Sequence, residues 1–235
     1  MIREAVMTDW EQISEVSRIS GYIDYINSIG KEFMKHGKIY VYSDNSRILG
    51  FLNVSIMPDK STWMGALRVH PDARRLGVGL SLTVEAIRKS GSDTVRCLIH
   101  HKNEKSLNLV KKLNFKISQE VCSFEGIPTV LNEGESIMEY PKGYVADRWS
   151  FYKSENSPPK EFKVVSNRFG TFMMQTGHCT IMELKEDFQL EGNDYSILYA
   201  GLSEIPEFFR HHLYPEFDMG YIMELNSAHK ELSKL

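Results

Sequence analysis

The amino-acid sequence predicts a mixed α/β fold for the first 140 residues and a small α+β domain after them. Up to residue 140, stretches with apolar residues at strand spacing alternate with stretches at helical spacing. One of these strands leads through a glycine-bearing turn directly into a helix, at residues 67–79. Beyond Pro141-Lys142-Gly143 the clear periodicity ends, and short strand-like runs predominate. Each part therefore has its own predicted architecture.

Start and stop signals support the helices of the first part. Thr8, with Glu11 three residues later, has the pattern of a capping box at a helix N-terminus. Arg88-Lys89-Ser90-Gly91 places cations and then a glycine where a helix is expected to end. The predicted elements, in order, are strand 1–7, helix 8–21, helix 22–36, strands 38–43, 47–57 and 62–69, helix 80–90, strand 94–99, helix 103–113 and a strand from Phe115.

The second part shows shorter patterns. Glu155-Asn156-Ser157-Pro158-Pro159-Lys160 has the composition of a linker. We therefore predict a first domain at 1–140, a linker at 141–160 and a small α+β domain at 161–235. The elements predicted in the small domain are strands 162–165, 172–175, 179–184 and 195–200, helix 203–212 and strand 221–225.

The clearest functional signal is the run Leu67-Arg68-Val69-His70-Pro71-Asp72-Ala73-Arg74-Arg75-Leu76-Gly77-Val78-Gly79. A loop of this kind directs backbone N–H groups, including those from Leu76 to Leu80, toward one point in front of a helix N-terminus. Gly77 and Gly79 leave room for an anion, and Arg74 and Arg75 add positive charge. The pattern predicts a pyrophosphate site.

Other interpretations of this loop fit less well. A Walker loop needs Gly-Lys-Ser/Thr at its end, but Leu80 follows Gly79. A dinucleotide fingerprint needs a third glycine or alanine where this chain has Leu82. A plain turn that starts a helix is the structural alternative, with no ligand at all.

Two segments resemble the GNAT acetyltransferase superfamily. Arg74-x-x-Gly77-x-Gly79 is similar to the family signature (Gln/Arg)-x-x-Gly-x-(Gly/Ala). Residues 103–115 are similar to a second family pattern, Asn-x-x-Ala-x-x-Leu-Tyr-x-x-x-Gly-Phe. The agreeing positions in the second segment are Asn103, Ser106, Leu109 and Phe115. The resemblance covers roughly residues 1–140 and implies the GNAT acetyltransferase fold.

The resemblance also implies a reaction, the transfer of an acetyl group from acetyl-CoA to a primary amine. The loop from Arg74 to Leu80 would then hold the pyrophosphate. Backbone groups of Leu67 and Val69 would hold the pantetheine arm, where the strands at 63–69 and 94–99 separate. Asn103 and Ser106 would also contact the cofactor. Asn103 is in addition a candidate catalytic residue, and a helix cap explains it equally well. The C-terminal domain would help to shape the acceptor site.

The catalytic groups are less clear, because two family features are missing. Val110 stands where many members have a tyrosine that protonates the leaving thiol, and 63–66 lacks the glutamate that many members use as a base. His100 and His101 follow the strand at 94–99 and are our candidate bases; a solvated loop pair is the alternative. A catalytically inactive acyl-CoA sensor or partner-binding subunit is therefore the second hypothesis.

Two further groups have both a structural and a functional interpretation. Tyr22, Asp24 and Tyr25 either line the acceptor pocket or pack in an amphipathic helix. Adjacent residues of a helix point about 100° apart, so His211-His212 is a poor metal-binding pair. We predict no metal.

Composition narrows the class of partner. The chain has 235 residues. Its net charge of −3 does not support binding to nucleic acid or to an anionic membrane. Its three cysteines lack a C-x-x-C spacing and fit a reducing compartment. With no signal-like N-terminus or apolar run of 18 residues, we expect a cytoplasmic protein. The expected acceptor is a small-molecule amine, with protein acceptors and a homodimer left open.

Overall fold

The computed structural model describes residues 1–22, 25–137, 142–155, 161–175 and 177–226, and these form a mixed α+β fold, as predicted. The described residues divide into two compact units. The first unit comprises residues 1–97, 108–115 and 224–226, and the second comprises 98–107 and 116–223. None of the described helices has both the length and the apolar character needed to cross a membrane.

The first unit is built on a five-stranded sheet in the order β1-β2-β3-β4-β5. The first four strands are antiparallel, and β5 is parallel to β4. The elements are β1 (Ile2–Glu4), α1 (Trp10–Ile19), α2 (Tyr25–Ile29), β2 (Lys38–Asp44), β3 (Arg47–Ile56), β4 (Thr62–Val69), α3 (Val78–Ser90), β5 (Thr94–His100) and α4 (Glu104–Lys112). Short 3-10 helices occur at Met7–Asp9, Gly30–Lys35 and Pro71–Ala73.

The core of the first unit joins α1 to the sheet. Trp10, Ile13 and Val16 recur at helical spacing and are buried against residues of β2 and β3 such as Val41 and Phe51. The helix α3 likewise packs one of its faces against β3 and β4. This packing holds the end of β4 and the start of α3 in a defined relation, which positions the loop between them.

Two local predictions for the first unit were wrong. Thr8 does not cap α1, because it lies inside the 3-10 helix Met7–Asp9 and Asp9 occupies the cap position. The carboxylate of Asp9 accepts the backbone N–H of Val6 at 2.8 Å and is bound by Arg3. The single helix predicted at 22–36 is α2 followed by a 3-10 helix. The reason is Gly30, whose φ of +68° ends the α-helical run.

A buried ionic group lies between β5 and the end of the described chain. Arg96 donates to Glu224 at 2.6 Å, to Asp59 at 2.6 Å and to the hydroxyl of Ser61 at 2.7 Å. The side chain of Arg96 is 5% exposed. One buried guanidinium therefore bonds to two carboxylates and offsets their negative charges.

The second unit contains a sheet in the order β6-β13-β12-β11-β10-β7 and a separate hairpin, β8-β9. The pairing of β12 with β13 is parallel, and the other four pairs of this sheet are antiparallel. The strands are β6 (Lys116–Pro128), β7 (Glu135–Ile137), β8 (Tyr144–Asp147), β9 (Ser150–Lys153), β10 (Lys163–Asn167), β11 (Gly170–Gln175), β12 (His178–Leu184), β13 (Leu190–Leu198) and β14 (Met219–Asn226), the last of which ends in the first unit.

The core of the second unit is rich in phenylalanine. Phe124, Phe172 and Phe209 are fully buried, with Phe188 close to them. The 3-10 helix Glu207–His212 supplies Phe209. The α-helix predicted from the sequence at 203–212 is not formed, because Pro206 disfavours helical geometry at the residue before it and leaves only this shorter turn.

The compact units differ from the predicted domain boundaries. Residues 116–137 belong to the second unit, because β6 pairs with β13, and residues 224–226 belong to the first. Residues 144–153, predicted as linker, form the β8-β9 hairpin, whose four-residue strands are too short to show a clear alternation. The rest of the proline-bearing run, 156–160, lies outside the described residues. Independent folding of the predicted domains stays a prediction.

Candidate functional site

The strands β4 and β5 are paired over a short distance. Their ladder in the described chain joins Thr62 to Val95 and Trp63 to Arg96. Farther along, β4 contains a bulge at Ala66, whose φ is +54°, and its register with β3 shifts there. The second half of β4 is therefore paired with β3 alone in the described part of the first unit.

The unpaired side of β4 presents backbone hydrogen-bonding groups. The N–H of His70 donates to Leu49 in β3 at 2.8 Å. Because successive residues of a strand direct their backbone groups to opposite sides, the N–H and C=O groups of Leu67 and Val69 point away from β3. The C=O of Leu67 accepts from the guanidinium of Arg68 at 3.0 Å. These are the two residues for which the sequence predicts backbone contacts to an extended ligand.

The loop after β4 ends in a bare helix N-terminus. Gly77 has φ of +80°, a conformation that glycine adopts without strain, and occupies the cap position of α3. No described side chain caps this helix. The first intrahelical bond runs from the N–H of Ser81 to the carbonyl of Gly77, so the N–H groups from Gly77 to Leu80 remain available to a ligand.

The residues around this N-terminus have different roles. Arg74, Arg75 and Leu76 are all exposed, but the guanidinium of Arg74 is bound to the carbonyl of Ser20 at 2.5 Å. A Cβ added to Gly77 would meet no atom within 4 Å. At Gly79 it would lie 3.3 Å from the side chain of Leu109. Gly79 therefore permits close packing, and Arg75 is the better candidate for an anion contact.

The second unit brings His100 and His101 together with a residue that sequence reasoning missed. Both Nε2 atoms lie 3.0 Å from Oδ1 of Asp218. The ammonium of Lys102 lies 3.0 Å from Oδ2, and the N–H of Met219 donates to Oδ1 at 2.9 Å. Asp218 lies over 110 residues away in the chain, and no local pattern marks it.

The two imidazoles are not equivalent. Nδ1 of His100 accepts the N–H of Lys102 at 3.2 Å, so its Nε2 is the donor to Asp218 and both nitrogens are occupied. His101 also uses Nε2 toward Asp218, but no described residue bonds to its Nδ1. His101 therefore has a lone pair on Nδ1 and a carboxylate that fixes its ring, the arrangement of a general base.

The surroundings lower the pKa of both His100 and Asp218. Burial lowers the pKa of His100 and outweighs the opposing effect of Asp218, so the neutral imidazole is favoured. Burial also favours the neutral form of Asp218. The hydrogen bonds from Lys102 and Met219, with the charges of His101 and Lys102, outweigh it and hold the pKa of the carboxyl below its usual value.

Comparison with known proteins gives the family. The model of the acetyltransferase (GNAT) family matches residues 2–115, which include the divided strand pair, the loop and α3. Residues 2–115 are a GNAT acetyltransferase domain. No curated protein sequence matches the chain.

Solved structures extend the similarity in fold beyond the GNAT domain. A candidate acetyltransferase from Thermoplasma acidophilum is 17% identical, with a TM-score of 0.55, and the match covers 96% of this chain and 99% of that one. A candidate acetyltransferase from Pyrococcus horikoshii is 13% identical, also with a TM-score of 0.55, and the match covers 97% and 89%. At these identities the likeness shows the fold alone, and both matches include the residues that follow the GNAT domain.

The GNAT-like segment 103–115 has mainly structural roles. Asn103 caps α4, because its Oδ1 accepts the N–H of Ser106 at 3.1 Å. Val110 is 5% exposed and belongs to the core, so no acidic side chain occupies the position of the family tyrosine. A cofactor contact from Asn103 or Ser106 stays a prediction.

The residues predicted to shape the acceptor pocket of the GNAT domain are partly described. Tyr22 is exposed, and the guanidinium of Arg68 lies 4.4 Å from its ring centre. Tyr25 is exposed at the start of α2. Asp24 lies outside the described residues. Their role as a pocket stays a prediction.

Aromatic side chains continue from the histidine group within the second unit. Phe217 packs edge-on against His100, at 5.1 Å between ring centres, and against Trp149 at 5.4 Å. Trp149 stacks on Tyr195 at 4.4 Å and is 36% exposed. Trp149 lies in the turn of the β8-β9 hairpin, in the stretch predicted as linker. These contacts form an aromatic row that ends at His100, the sequence neighbour of His101.

Proposed function

We propose that this protein transfers the acetyl group of acetyl-CoA to a primary amine of a small molecule. The observation that carries the proposal is the bare N-terminus of α3 behind the left-handed Gly77, inside a GNAT domain. Four free N–H groups and a helix dipole suit a pyrophosphate. Arg75 adds a positive charge, and the outward backbone of Leu67 and Val69 suits the amide-bearing pantetheine arm.

The acetyl group passes directly from sulfur to nitrogen in this proposal. The amine nitrogen attacks the thioester carbonyl, the C–S bond breaks, and CoA leaves as a thiolate that takes a proton from water. A cysteine intermediate is disfavoured, because burial raises the pKa of Cys97 and of Cys122 to about 12 and also raises that of Cys179. Val110 supplies no acid, which slows the step without preventing it.

An ammonium must lose a proton before it can attack. We assign the acceptance of this proton to Nδ1 of His101, with Asp218 as the positioning residue that binds Nε2–H. The support is the 3.0 Å contact between Nε2 and Oδ1 and the unoccupied Nδ1 in the described chain. His100 has no such free nitrogen, so its role is to help hold Asp218.

His101→Ala is expected to lower kcat/KM for an alkylamine by roughly 10²–10⁴-fold, the usual contribution of a general base. Asp218→Asn should cost less and should lower the pKa of His100 further, because the carboxylate that raises it is gone. Initial rates from pH 5.5 to 9 and NMR titration of the imidazoles measure both effects. Activity of the wild type should rise with pH, since only a neutral base accepts a proton.

The acceptor itself provides the control for this assignment. An aromatic amine is already unprotonated at pH 7, so its acetylation should depend far less on His101. The exposed His36, replaced by alanine, is the matched histidine control. Equal losses for protonated and unprotonated acceptors would show that His101 has a structural role.

The aromatic row predicts a preference among acceptors. Trp149 offers an exposed indole close to Phe217, and such faces bind planar or cationic groups. We expect Trp149→Ala to raise KM for phenethylamine about tenfold, with little change in kcat, and to leave KM for hexylamine nearly unchanged. Steady-state kinetics with both amines measure this, and equal changes for the two would contradict the preference.

The second hypothesis is a CoA-binding subunit without catalysis. The buried Val110 favours it. Release of free thiol from acetyl-CoA, measured with and without a panel of amines, separates the two hypotheses. Amine-dependent release supports the transferase, whereas tight binding of acetyl-CoA with no release under any condition supports the sensor.

A further inference from the structure

A second group of two histidines and one aspartate lies elsewhere in the second unit. His211 and His212 end the 3-10 helix Glu207–His212, and Asp187 lies between β12 and β13. Nε2 of His212 is 3.2 Å from Oδ1 of Asp187, and Nε2 of His211 is 3.8 Å from Oδ2. One ligand atom from each residue lies within 4.8 Å of the other two.

The sequence suggested that His211 and His212 point apart, and the structure shows otherwise. Their ring centres are 4.0 Å apart, and both Nε2 atoms face the same carboxylate. The prediction considered only the angle between the backbone directions of adjacent residues, whereas the side-chain rotations of His211 and His212 turn both rings toward Asp187. The third group, Asp187, comes from a distant connection that sequence spacing does not reveal.

Two of the three groups are already held in place. The side chain of His212 is 9% exposed, and its ring packs at 4.8 Å from Phe209. The N–H of Phe188 donates to Oδ1 of Asp187 at 2.9 Å. Only the exposed His211 has to rotate to complete a common site. Binding of an ion would therefore immobilise only one further side chain.

The two histidine–aspartate groups differ in charge. At the first, the ammonium of Lys102 occupies Oδ2 of Asp218, and a cation there would meet a like charge. At the second, no described lysine or arginine forms an ion pair with Asp187, and its described charge partners are the two imidazoles. Neutral imidazoles leave the carboxylate charge available to a cation.

We propose that Asp187, His211 and His212 bind one divalent transition-metal ion, with Zn²⁺ as the best match. Two imidazole nitrogens and one carboxylate oxygen are an established donor set for zinc, with water in the fourth position. Bonds of 2.0–2.1 Å in a tetrahedral site place neighbouring ligand atoms about 3.3 Å apart. The 3.2 Å contact of His212 fits this value, and the 3.8 Å contact of His211 needs a small rotation.

The bound ion would cross-link two distant parts of the second unit. It would tie the β12–β13 connection to the 3-10 helix that carries Phe209, a core residue. A ligand that binds only the folded state raises the unfolding temperature. The ion is therefore a structural clamp, separate from acetyl transfer.

The test uses full-length protein without a polyhistidine tag, stripped with a chelator and then dialysed. Calorimetric titration with ZnCl₂ should show one ion per chain, and Co²⁺ should give the visible absorption bands of a tetrahedral site. His211→Ala and Asp187→Asn should each weaken Zn²⁺ binding by at least tenfold. Zn²⁺ should raise the unfolding temperature of the wild type and not that of Asp187→Asn.

His101→Ala is the matched control, because it removes a histidine from the other histidine–aspartate group. It should bind Zn²⁺ like the wild type. Three results would overturn the proposal: no binding by the wild type at millimolar Zn²⁺, unchanged binding in both His211→Ala and Asp187→Asn, or loss of binding in His101→Ala. None of them bears on acetyl transfer, which is measured separately.

Discussion

Gly77→Asp is expected to weaken acetyl-CoA binding by roughly 100-fold or more while the protein stays folded. The new carboxylate would lie at the N-terminus of α3, where we place the pyrophosphate. Two unit charges about 4 Å apart near a protein surface repel by about 4 kcal/mol, and each 1.4 kcal/mol is tenfold in affinity. Stability should change little, because a Cβ at this position meets nothing within 4 Å and aspartate tolerates positive φ.

Gly77→Asn is the matched control, since asparagine has nearly the same shape and the same tolerance of positive φ without the charge. It should bind acetyl-CoA at least tenfold more tightly than Gly77→Asp. Calorimetry with acetyl-CoA measures the affinities, and thermal unfolding confirms that both variants fold. Equal affinities for the two variants would mean that the pyrophosphate does not bind at this helix N-terminus.

Arg96→Leu is expected to lower the free energy of unfolding by about 3–5 kcal/mol, the usual cost of removing one partner from a buried ion pair. The reason is that Asp59 and Glu224 lose the guanidinium that compensates their charges; their side chains are 11% and 9% exposed. Urea unfolding of the full chain measures the change.

Two controls separate this charge effect from a packing effect. Arg18→Leu removes an exposed ion pair with Glu15 and should cost under about 1 kcal/mol. Adding Asp59→Asn and Glu224→Gln to Arg96→Leu should restore much of the lost stability, because no uncompensated charge then remains buried. A triple variant as unstable as Arg96→Leu alone would assign the loss to packing.

The loop and its helix could be predicted from the sequence because their signals are local. Gly77 and Gly91 adopt the left-handed conformation at the two ends of α3, with φ of +80° and +69°. Glycine adopts this conformation without strain, so the residue type alone marks both ends. Alternation along β3 and β4 similarly reports which side chains are buried. Such signals fail where a neighbour overrides them, as Gly30 does in the second predicted helix and Asp9 does at Thr8.

By itself, the sequence determined the order of elements in the first unit, the glycine loop, and the family resemblance. Tertiary structure decided which distant groups meet: Asp218 with His101, Asp187 with His212, and Glu224 with Arg96. It also decided that the expected linker contains a hairpin that carries Trp149. The physical reason is that periodicity and turn chemistry act over a few residues, whereas strand register and packing bring together side chains that share no local pattern.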